Sequence, residues 1–560
     1  MDRYYDLGTY SRPVTTSSRE TQRWFDRGLV WCYGFNHEES IRCFAKAAEL
    51  DQRCAMAYWG IAYAGGCNYN KPWEAFRETE LQEALSAIRA AMKNALAHMD
   101  SASPVERALI DALVRRYPSE TAGPEGFSAW NDAYAAAMRG VYAAFPNDLD
   151  VASLFAEALI NRTPWKLWDL HSGRPAEGAS SLEAVEVLEK ALHQVEEGGF
   201  EAHPGLLHMY IHTMEMSPHP ERALRAADAL RELVPDAGHL RHMPSHIDVL
   251  CGHYHDAVVA NSNAVAADAT YLAREGPINF YTLYRCHNYH FKLYSAMFLG
   301  QYKTAHEAAN QMIATIPEEL LRVDVPPMAD WLEGFLSMKV HVYVRFGKWE
   351  EIMAERLPRD GDLFCVTTAM LHYAKGIAFA ATGQIPGAEA EAEQFADALA
   401  RVPDTRYVFN NRCIDILAIA AEMLSGELEY RKGYFEQAFA HLRQAVVLDD
   451  NLPYDEPWGW MQPARHALGA LLLEQGRVAE AEQVYRDDLG LNTTLSRAAQ
   501  HPDNVWSLHG YVECLHRQHK HAEAMSMEAR LDLAKARADV PINASCYCRL
   551  EPRIADNESA

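Results

Sequence analysis

The stretch "GLVWCYGFNHEESIRCFAKAAELD", residues 28–51, decides the fold of this chain. Small and aromatic residues recur at helical spacing on both sides of the short turn "GFNHEE", which predicts two helices that pack side by side. Counted from residue 21, positions 8, 11, 20, 24 and 27 hold Gly28, Trp31, Ser40, Phe44 and Ala47. We therefore expect a repeat that is built from helix pairs.

Further copies of this pattern follow along the chain. The stretches "PERALRAADALRELVP" and "GHYHDAVVANSNAVAAD" give repeat starts at 204 and 238, which are 34 residues apart. Weaker matches start near residues 55, 286, 333, 369, 419, 462 and 505. Because no long alternating stretch predicts a sheet, we expect an all-α fold.

The pattern resembles the tetratricopeptide-repeat superfamily. The resemblance implies a right-handed superhelix of antiparallel helix pairs, with positions 2, 5, 9, 12 and 13 of each first helix facing a concave groove. In this frame we predict a first segment with the initial repeats (1–70), an irregular helical region (71–203) with a long loop (163–181), histidine-rich repeats (204–332), C-terminal repeats (333–536) and an irregular tail (537–560).

Composition narrows the classes of partner. A net charge of -25 gives phosphate backbones and anionic lipids little to bind, so we expect neither a nucleic-acid nor a membrane partner. No apolar run reaches the roughly 18 residues of a spanning helix, and the N-terminus has no secretory pattern, so a cytoplasmic location is expected. The eleven cysteines lack any C-x-x-C pair, which favours reduced thiols. For Cys546 and Cys548 in the tail, two reduced thiols are expected, and a soft metal on this pair is the alternative.

Histidines concentrate in one part of the chain. Of the 25 histidines, 11 lie between residues 203 and 290, so uniform scatter is a poor explanation. With repeat starts at 204, 238, 286 and 333, the acid Glu215 and eight histidines fall on groove-facing positions: His208, His212, His239, His242, His246, His287, His290 and His341. The frame therefore predicts that these side chains share one groove.

The spacing of these histidines indicates metal binding. Residues at i and i+4 of a helix have Cβ atoms about 5–6 Å apart, so an H-x-x-x-H pair brings two imidazoles together. Imidazole suits copper, iron and zinc. We predict a transition metal on His208, His212, His242, His246 and His290, with Glu215 or His287 as general base. The alternative is that the histidines are ordinary helix residues that bond to nearby backbone.

Other residues are candidates for the wall of the substrate groove. Besides His239 and His341, they are Phe25, Trp59 and Tyr63 on groove positions of the first two repeats, and Asn68 and Asn70 at the rim. For the three aromatic residues, ordinary packing is the competing interpretation.

The chain also resembles a group of bacterial and fungal tetratricopeptide-repeat proteins of similar length. The resemblance is carried by "WFDRGLVWCYGFNHEES", "CAMAYWGIAYAGGCNYN", "LLHMYIHTME", "HMPSHI" and "HNYHF". It implies a common fold and histidine set and implies no particular reaction.

Three functions remain open at this point. We expect a metal-dependent enzyme, an oxidoreductase or a hydrolase or lyase, that acts on a small organic substrate in the groove. The first alternative is a non-catalytic scaffold that binds a peptide or protein partner there, and the second is a metal-free enzyme with histidine acid–base pairs. P-loop, G-x-G-x-x-G, G-x-S-x-G and H-E-x-x-H motifs are absent from the sequence, so nucleotide and common hydrolase chemistries lack support.

Overall fold

The computed structural model describes residues 4–118 and 124–549, and its architecture is all-α. The chain forms two compact units. The N-terminal unit comprises the chain up to Ile247 together with Asn263–Arg274, and the C-terminal unit comprises Asp248–Ser262 and the chain from Glu275 onward. No helix in the described ranges has both the length and the apolar character of a membrane span.

The helices follow one another as antiparallel pairs. The first thirteen are α1 (Arg19–Tyr33), α2 (His37–Leu50), α3 (Ala55–Ala64), α4 (Glu78–His98), α5 (Pro104–Val114), α6 (Pro124–Ala144), α7 (Leu149–Ile160), α8 (Ser181–Gly198), α9 (Pro204–Glu215), α10 (Leu224–Leu230), α11 (Gly238–His242), α12 (Pro244–Leu250) and α13 (Tyr254–Glu275).

The helices after residue 280 belong to the C-terminal unit. They are α14 (Thr282–Phe298), α15 (Tyr302–Ala314), α16 (Glu318–Leu321), α17 (Met328–Leu332), α18 (Met338–Arg345), α19 (Trp349–Ala354), α20 (Cys365–Ala381), α21 (Ile385–Leu399), α22 (Cys413–Arg431), α23 (Phe435–Asp450), α24 (Ala464–Glu474), α25 (Val478–Asp488), α26 (Val505–Arg517) and α27 (His521–Lys535).

Short elements complete the described chain. Single 3-10 turns lie at Trp73–Ala75, Met99–Ser101, Pro220–Ala223, Glu333–Ser337 and Arg497–Ala499. Two antiparallel ribbons of two-residue strands pair β1 (Trp168–Asp169) with β2 (Arg174–Pro175) and β3 (Tyr407–Val408) with β4 (Asn411–Arg412). The first ribbon lies within the predicted long loop, which joins α7 to α8.

The first helix pair shows why the sequence folds as a repeat. The Ser18 side chain caps α1, and Asn36 caps α2 by accepting from the backbone N–H of Glu39 at 3.2 Å. The hydroxyl of Ser40 donates to the carbonyl of Gly28 at 2.7 Å, and Phe44 packs against the bare Cα of that glycine. The small residue at position 8 therefore admits the large ring of position 24.

The predicted repeat frame is confirmed at the level of helix pairs. Nine of the predicted repeats have a first helix that begins within six residues of the expected start, from α1 at Arg19 to α26 at Val505. The tenth, near residue 333, is divided into α17, a 3-10 turn and α18. The predicted domain boundaries stay predictions; residues 119–123 of the irregular region and 550–560 of the tail lie outside the described residues.

The tail after α27 is irregular, yet it is packed against the C-terminal unit. Arg549 is buried and donates to both carboxylate oxygens of Glu513, at 2.6 and 2.9 Å. Arg345 donates to the carbonyl of Ser545. Cys546 and Cys548 form a disulfide, so the expectation of reduced thiols is wrong for this pair.

The close contact between Gly28 and Phe44 gives a stability prediction. A Cβ added at residue 28 would lie 2.7 Å from Cδ1 of Phe44, so Gly28→Val must push the ring aside. We expect the free energy of unfolding to fall by about 1–3 kcal/mol, measured by chemical denaturation. Gly140 in α6 is the matched control, because a Cβ there meets nothing within 4 Å. Gly140→Ala should raise stability by up to about 1 kcal/mol. A Gly28→Val protein as stable as the wild type would contradict this packing.

A buried polar network in the C-terminal unit centres on Asp488. The carboxylate accepts from Nε2 of His466 at 3.0 Å and from Nδ1 of His501 at 2.8 Å. Arg345 donates to Nδ1 of His466 at 2.9 Å, which places the ring proton on Nε2. Burial raises the pKa of Asp488, but the two facing imidazoles lower it by more. The pKa of this carboxyl therefore lies well below its ordinary range.

His466 gives a pH prediction. Burial lowers the pKa of His466 to about 4, whereas in the unfolded chain it is about 6.5. The unfolded chain then binds more protons between these values, so stability is full above pH 6.5 and is lost as the pH falls toward 4. We expect His466→Gln to flatten the curve of unfolding free energy against pH in this window, measured by urea denaturation at each pH. Parallel curves for the variant and the wild type would contradict the assignment.

Candidate metal centre

Helix α9 presents three polar side chains along one face. His203 caps its start, with Nδ1 accepting from the backbone N–H of Leu206 at 3.2 Å, and Pro204 occupies the first turn. His208, His212 and Glu215 then follow at the spacing of successive helical turns. All three are fully buried.

The second histidine segment is broken where one continuous helix was expected. Helix α11 ends at His242, and α12 begins at Pro244, because proline has no N–H with which to continue the helix. The backbone N–H of His246 instead bonds to the carbonyl of Met243 at 3.2 Å. The rings of His242 and His246 nevertheless remain 4.7 Å apart between centroids. The H-x-x-x-H pairing therefore survives the break.

Five histidines of the N-terminal unit meet in one cluster, which we call the histidine cluster: His208, His212, His239, His242 and His246. Their rings are at most 1% exposed. The Nε2 atoms of His208 and His239 lie 3.2 Å apart, and those of His242 and His246 lie 2.8 Å apart. One ring nitrogen each of His208, His212 and His239 lies within 4.8 Å of the other two. The structure thus brings together the histidines that the repeat frame placed on two consecutive repeats.

Oxygen atoms lie close to Nδ1 of four of these rings. Nδ1 of His208 donates to the carbonyl of Tyr33 at 2.5 Å. The hydroxyl of Ser245 donates to the carbonyl of His242, so it accepts from Nδ1 of His242, 3.3 Å away. Nδ1 of His212 and Nδ1 of His246 lie 3.0 and 2.8 Å from the two carboxylate oxygens of Glu215. With the proton on Nδ1, Nε2 of His208 and Nε2 of His212 each carry a lone pair.

Burial sets the charge state of the cluster. Removal from water lowers the pKa of His208 and of His212 well below the ordinary value, and the neighbouring imidazoles lower both further. Burial also raises the pKa of Glu215, and the facing His246 opposes this rise. Both histidines are therefore neutral at physiological pH, the state in which imidazole binds metals.

Three aromatic residues beside the cluster were missed from the sequence. The ring of Phe35 lies 4.6 Å from that of His208, and Tyr69 lies 4.7 Å from His212. Trp165, in the long loop, packs against Tyr69 at 4.9 Å. Phe35 and Trp165 have φ of 55° and 58°, which is rare for aromatic residues and marks backbone held by its surroundings. Helical periodicity carries no signal for such positions.

The other groove candidates of the N-terminal unit have partners of their own. Phe25 is buried against Phe44, and Trp59 stacks on Tyr63 at 5.0 Å, placements that favour ordinary packing. The Tyr63 hydroxyl donates to the buried Glu157.

The two asparagines shape the turn that holds Tyr69. The Asn68 side-chain oxygen accepts from the backbone N–H groups of Asn70 and Lys71 at 2.9 and 2.8 Å. Contact of Asn68 or Asn70 with a substrate stays a prediction.

The remaining candidates lie in the C-terminal unit. His287 packs edge-on against Phe409 at 4.5 Å. Nε2 of His290 lies 2.8 Å from the sulfur of Met461, and the ring of His341 packs on Trp460 at 4.9 Å. Burial lowers the pKa of both His290 and His341 to about 3. That these three act in one site with the histidine cluster stays a prediction.

Comparisons with known proteins add little to this picture. No family model matches the chain, and no curated protein matches it.

Solved structures are similar to the chain only at low scores. A human IFIT1 dimer with m7Gppp-AAAA has 12% identity and a TM-score of 0.29, covering 93% of this chain and 91% of that chain. Yeast Tom70 has 12% identity and a TM-score of 0.29, covering 93% and 97%. A Naa15/Naa10 complex bound to HypK has 12% identity and a TM-score of 0.21, covering 91% and 70%. Similarities at this level say nothing about a ligand of this chain.

Proposed function

We propose that the protein is a metal-dependent enzyme that acts on a small organic substrate beside the histidine cluster. The observation that carries this proposal is the Nε2 atom of His212. It is buried and has no hydrogen-bond partner in the described part of the chain, while Nδ1 of the same ring faces Glu215. A buried lone pair without a donor is costly, and a metal ion would satisfy it.

His208 and His239 complete this first ligand set. Zinc lies about 2.0–2.1 Å from imidazole nitrogen, so two nitrogens on one ion are about 3 Å apart. The 3.2 Å between the Nε2 atoms of His208 and His239 suits such a pair. Copper, iron and zinc all accept imidazole ligands, so we propose one of these metals.

The surroundings suit catalysis at such an ion. A metal with three imidazole ligands keeps a coordination position for substrate or water and can act as a Lewis acid, a water activator or an oxygen-binding centre. The aromatic side chains of Phe35, Tyr69 and Trp165 offer an apolar wall for an organic substrate. Since both oxygens of Glu215 face ring nitrogens, the geometry favours a positioning role for Glu215 over that of general base.

Metal analysis tests the proposal. Full-length protein purified without an affinity tag should contain at least about one transition-metal ion per chain by elemental analysis. His212→Ala should bind that metal more than about tenfold more weakly, because it removes a ligand. His219→Ala is the control, since this histidine is exposed and pairs with Glu221. Absence of a transition metal, together with unchanged thermal stability after chelation, would contradict the proposal. Activity that survives chelation would point instead to a metal-free histidine enzyme.

Glu215→Gln tests the positioning role. Glutamine keeps the size of the side chain but has one acceptor oxygen, so it can receive only one of the two facing Nδ1–H groups. We expect metal affinity to fall about 10–100-fold, measured by competition with a chromophoric chelator. The folded content by circular dichroism should stay unchanged. An affinity equal to that of the wild type would show that Glu215 does not orient these rings.

The repeat fold itself favours a second candidate, a non-catalytic scaffold that binds a peptide or protein partner in the same groove. The same metal analysis separates the two. If the protein held no metal and His242→Ala with His246→Ala abolished binding of an identified partner, the scaffold function would replace the enzyme.

A further inference from the structure

We propose that the C-terminal unit binds a small organic carboxylate with an apolar body, in a pocket beside the segment that joins α19 to α20. The pocket has a volume of about 570 Å³, and we call it the arginine pocket because Arg356 and Arg359 line it. Sites for small molecules commonly enclose about 300–1,000 Å³. All residues of the arginine pocket belong to the C-terminal unit, so this site does not involve the histidine cluster.

Much of the lining of the arginine pocket is apolar. The apolar side chains come from α15, α18, α20 and the turns that precede α18 and α20: Ile313, Leu336, Val340, Phe364 and Leu371. Val340 and Leu371 are buried, and the other three are half-buried. Because the transfer of apolar surface out of water is favourable, this lining favours a ligand with an apolar body.

The carboxylates of the lining already face cations. Glu355 pairs with Lys339 of α18 at 2.5 Å. Arg322 pairs with Glu318 of α16 at 2.6 Å and with Asp360 at 2.9 Å. These acids are therefore engaged within the protein and do not supply a partner for the two arginines of the pocket.

The guanidinium groups of Arg356 and Arg359 are left for a ligand. Both side chains are exposed, and no described residue forms a hydrogen bond or an ion pair with either, although the chain has 77 acidic residues against 52 basic ones. The charged groups of the lining, together with Arg322, have one net positive charge. The planar guanidinium fork matches the two oxygens of a carboxylate, so an organic carboxylate is the complement of this pocket.

The segment that carries the two arginines is held at both ends. At one end Glu355 pairs with Lys339, and at the other end Asp360 pairs with Arg322. The carboxylate of Asp360 also accepts from the backbone N–H of Leu363 at 3.1 Å. Since the two arginines lie between these anchors, the backbone that presents them to the pocket is ordered before a ligand binds. Such pre-organisation reduces the entropy that binding costs.

Neither the charge nor the apolar lining is sufficient by itself. An ion pair with an exposed arginine contributes little in water, so a bare anion gains little from this pocket. A neutral apolar molecule gains from the lining but leaves both guanidinium groups without a partner. The ligand that uses the whole pocket therefore combines a carboxylate with an apolar body.

Isothermal titration calorimetry of the full chain tests the site. The probe is 1-naphthaleneacetate, and its uncharged amide, 1-naphthaleneacetamide, has nearly the same shape. We expect one molecule of the acid to bind per chain, at least about tenfold more tightly than the amide, because only the acid forms charge-assisted hydrogen bonds with the guanidinium groups. Acetate and inorganic phosphate at the same concentration as the probe should not displace it.

Variants separate the two parts of the pocket. Arg356→Gln/Arg359→Gln should lower the affinity for the acid about tenfold and leave the affinity for the amide unchanged. Leu336→Gln should weaken the binding of both, because it places a polar group in the apolar lining. Arg401→Gln is the matched control, since Arg401 is exposed, belongs to the same unit and does not line the pocket. Circular dichroism verifies that each variant is folded.

Three results would overturn the proposal. One is that folded wild-type protein binds no 1-naphthaleneacetate at millimolar concentration, including the case in which it binds only a peptide through its C-terminal carboxylate. The second is equal affinity for the acid and the amide, or an affinity for the acid that Arg356→Gln/Arg359→Gln leaves unchanged. The third is displacement of the probe by equimolar phosphate, which would show a simple anion site without an apolar part.

Discussion

The buried carboxylate of Glu215 is the constraint on which the candidate site depends. A fully buried carboxylate is tolerated only where both oxygens meet donors or cations. Here one oxygen faces Nδ1 of His212 on α9, and the other faces Nδ1 of His246 on α12. One side chain thereby contacts two rings from neighbouring repeats. The opposite nitrogen of each ring is left to face the interior of the cluster.

The repeat puts Glu215 on a groove-facing position of its first helix. Helix pairs stack because small residues such as Gly28 admit large rings such as Phe44, and this packing repeats along each unit. Equivalent positions of consecutive first helices then face the same way. His208 and His242 are such equivalents, as are His212 and His246. A periodic fold built for packing therefore gathers polar residues without any special topology.

The sequence predicted the helix pairs and the histidine cluster for the same reason. Both depend on periodicity, which a single chain displays through its spacing alone. The aromatic residues Phe35 and Trp165 escaped prediction because they lie in turns with a left-handed backbone, where side-chain direction is set by tertiary contacts. The repeat frame also did not predict that Pro244 divides the first helix of the repeat at 238 into α11 and α12.

The neutral charge state of His208 and His212 is compatible with a bound cation. Burial keeps His208 and His212 neutral by lowering the pKa of each, so these imidazoles do not repel as cations. In the neutral rings, however, each Nε2 atom carries a lone pair. Because both side chains are fully buried, bulk water does not solvate these lone pairs. A purely structural histidine would place a donor against this nitrogen, as Arg345 does for Nδ1 of His466 in the C-terminal unit. For Nε2 of His212 the described chain offers no such donor, so this nitrogen carries a desolvation cost that a bound cation would offset.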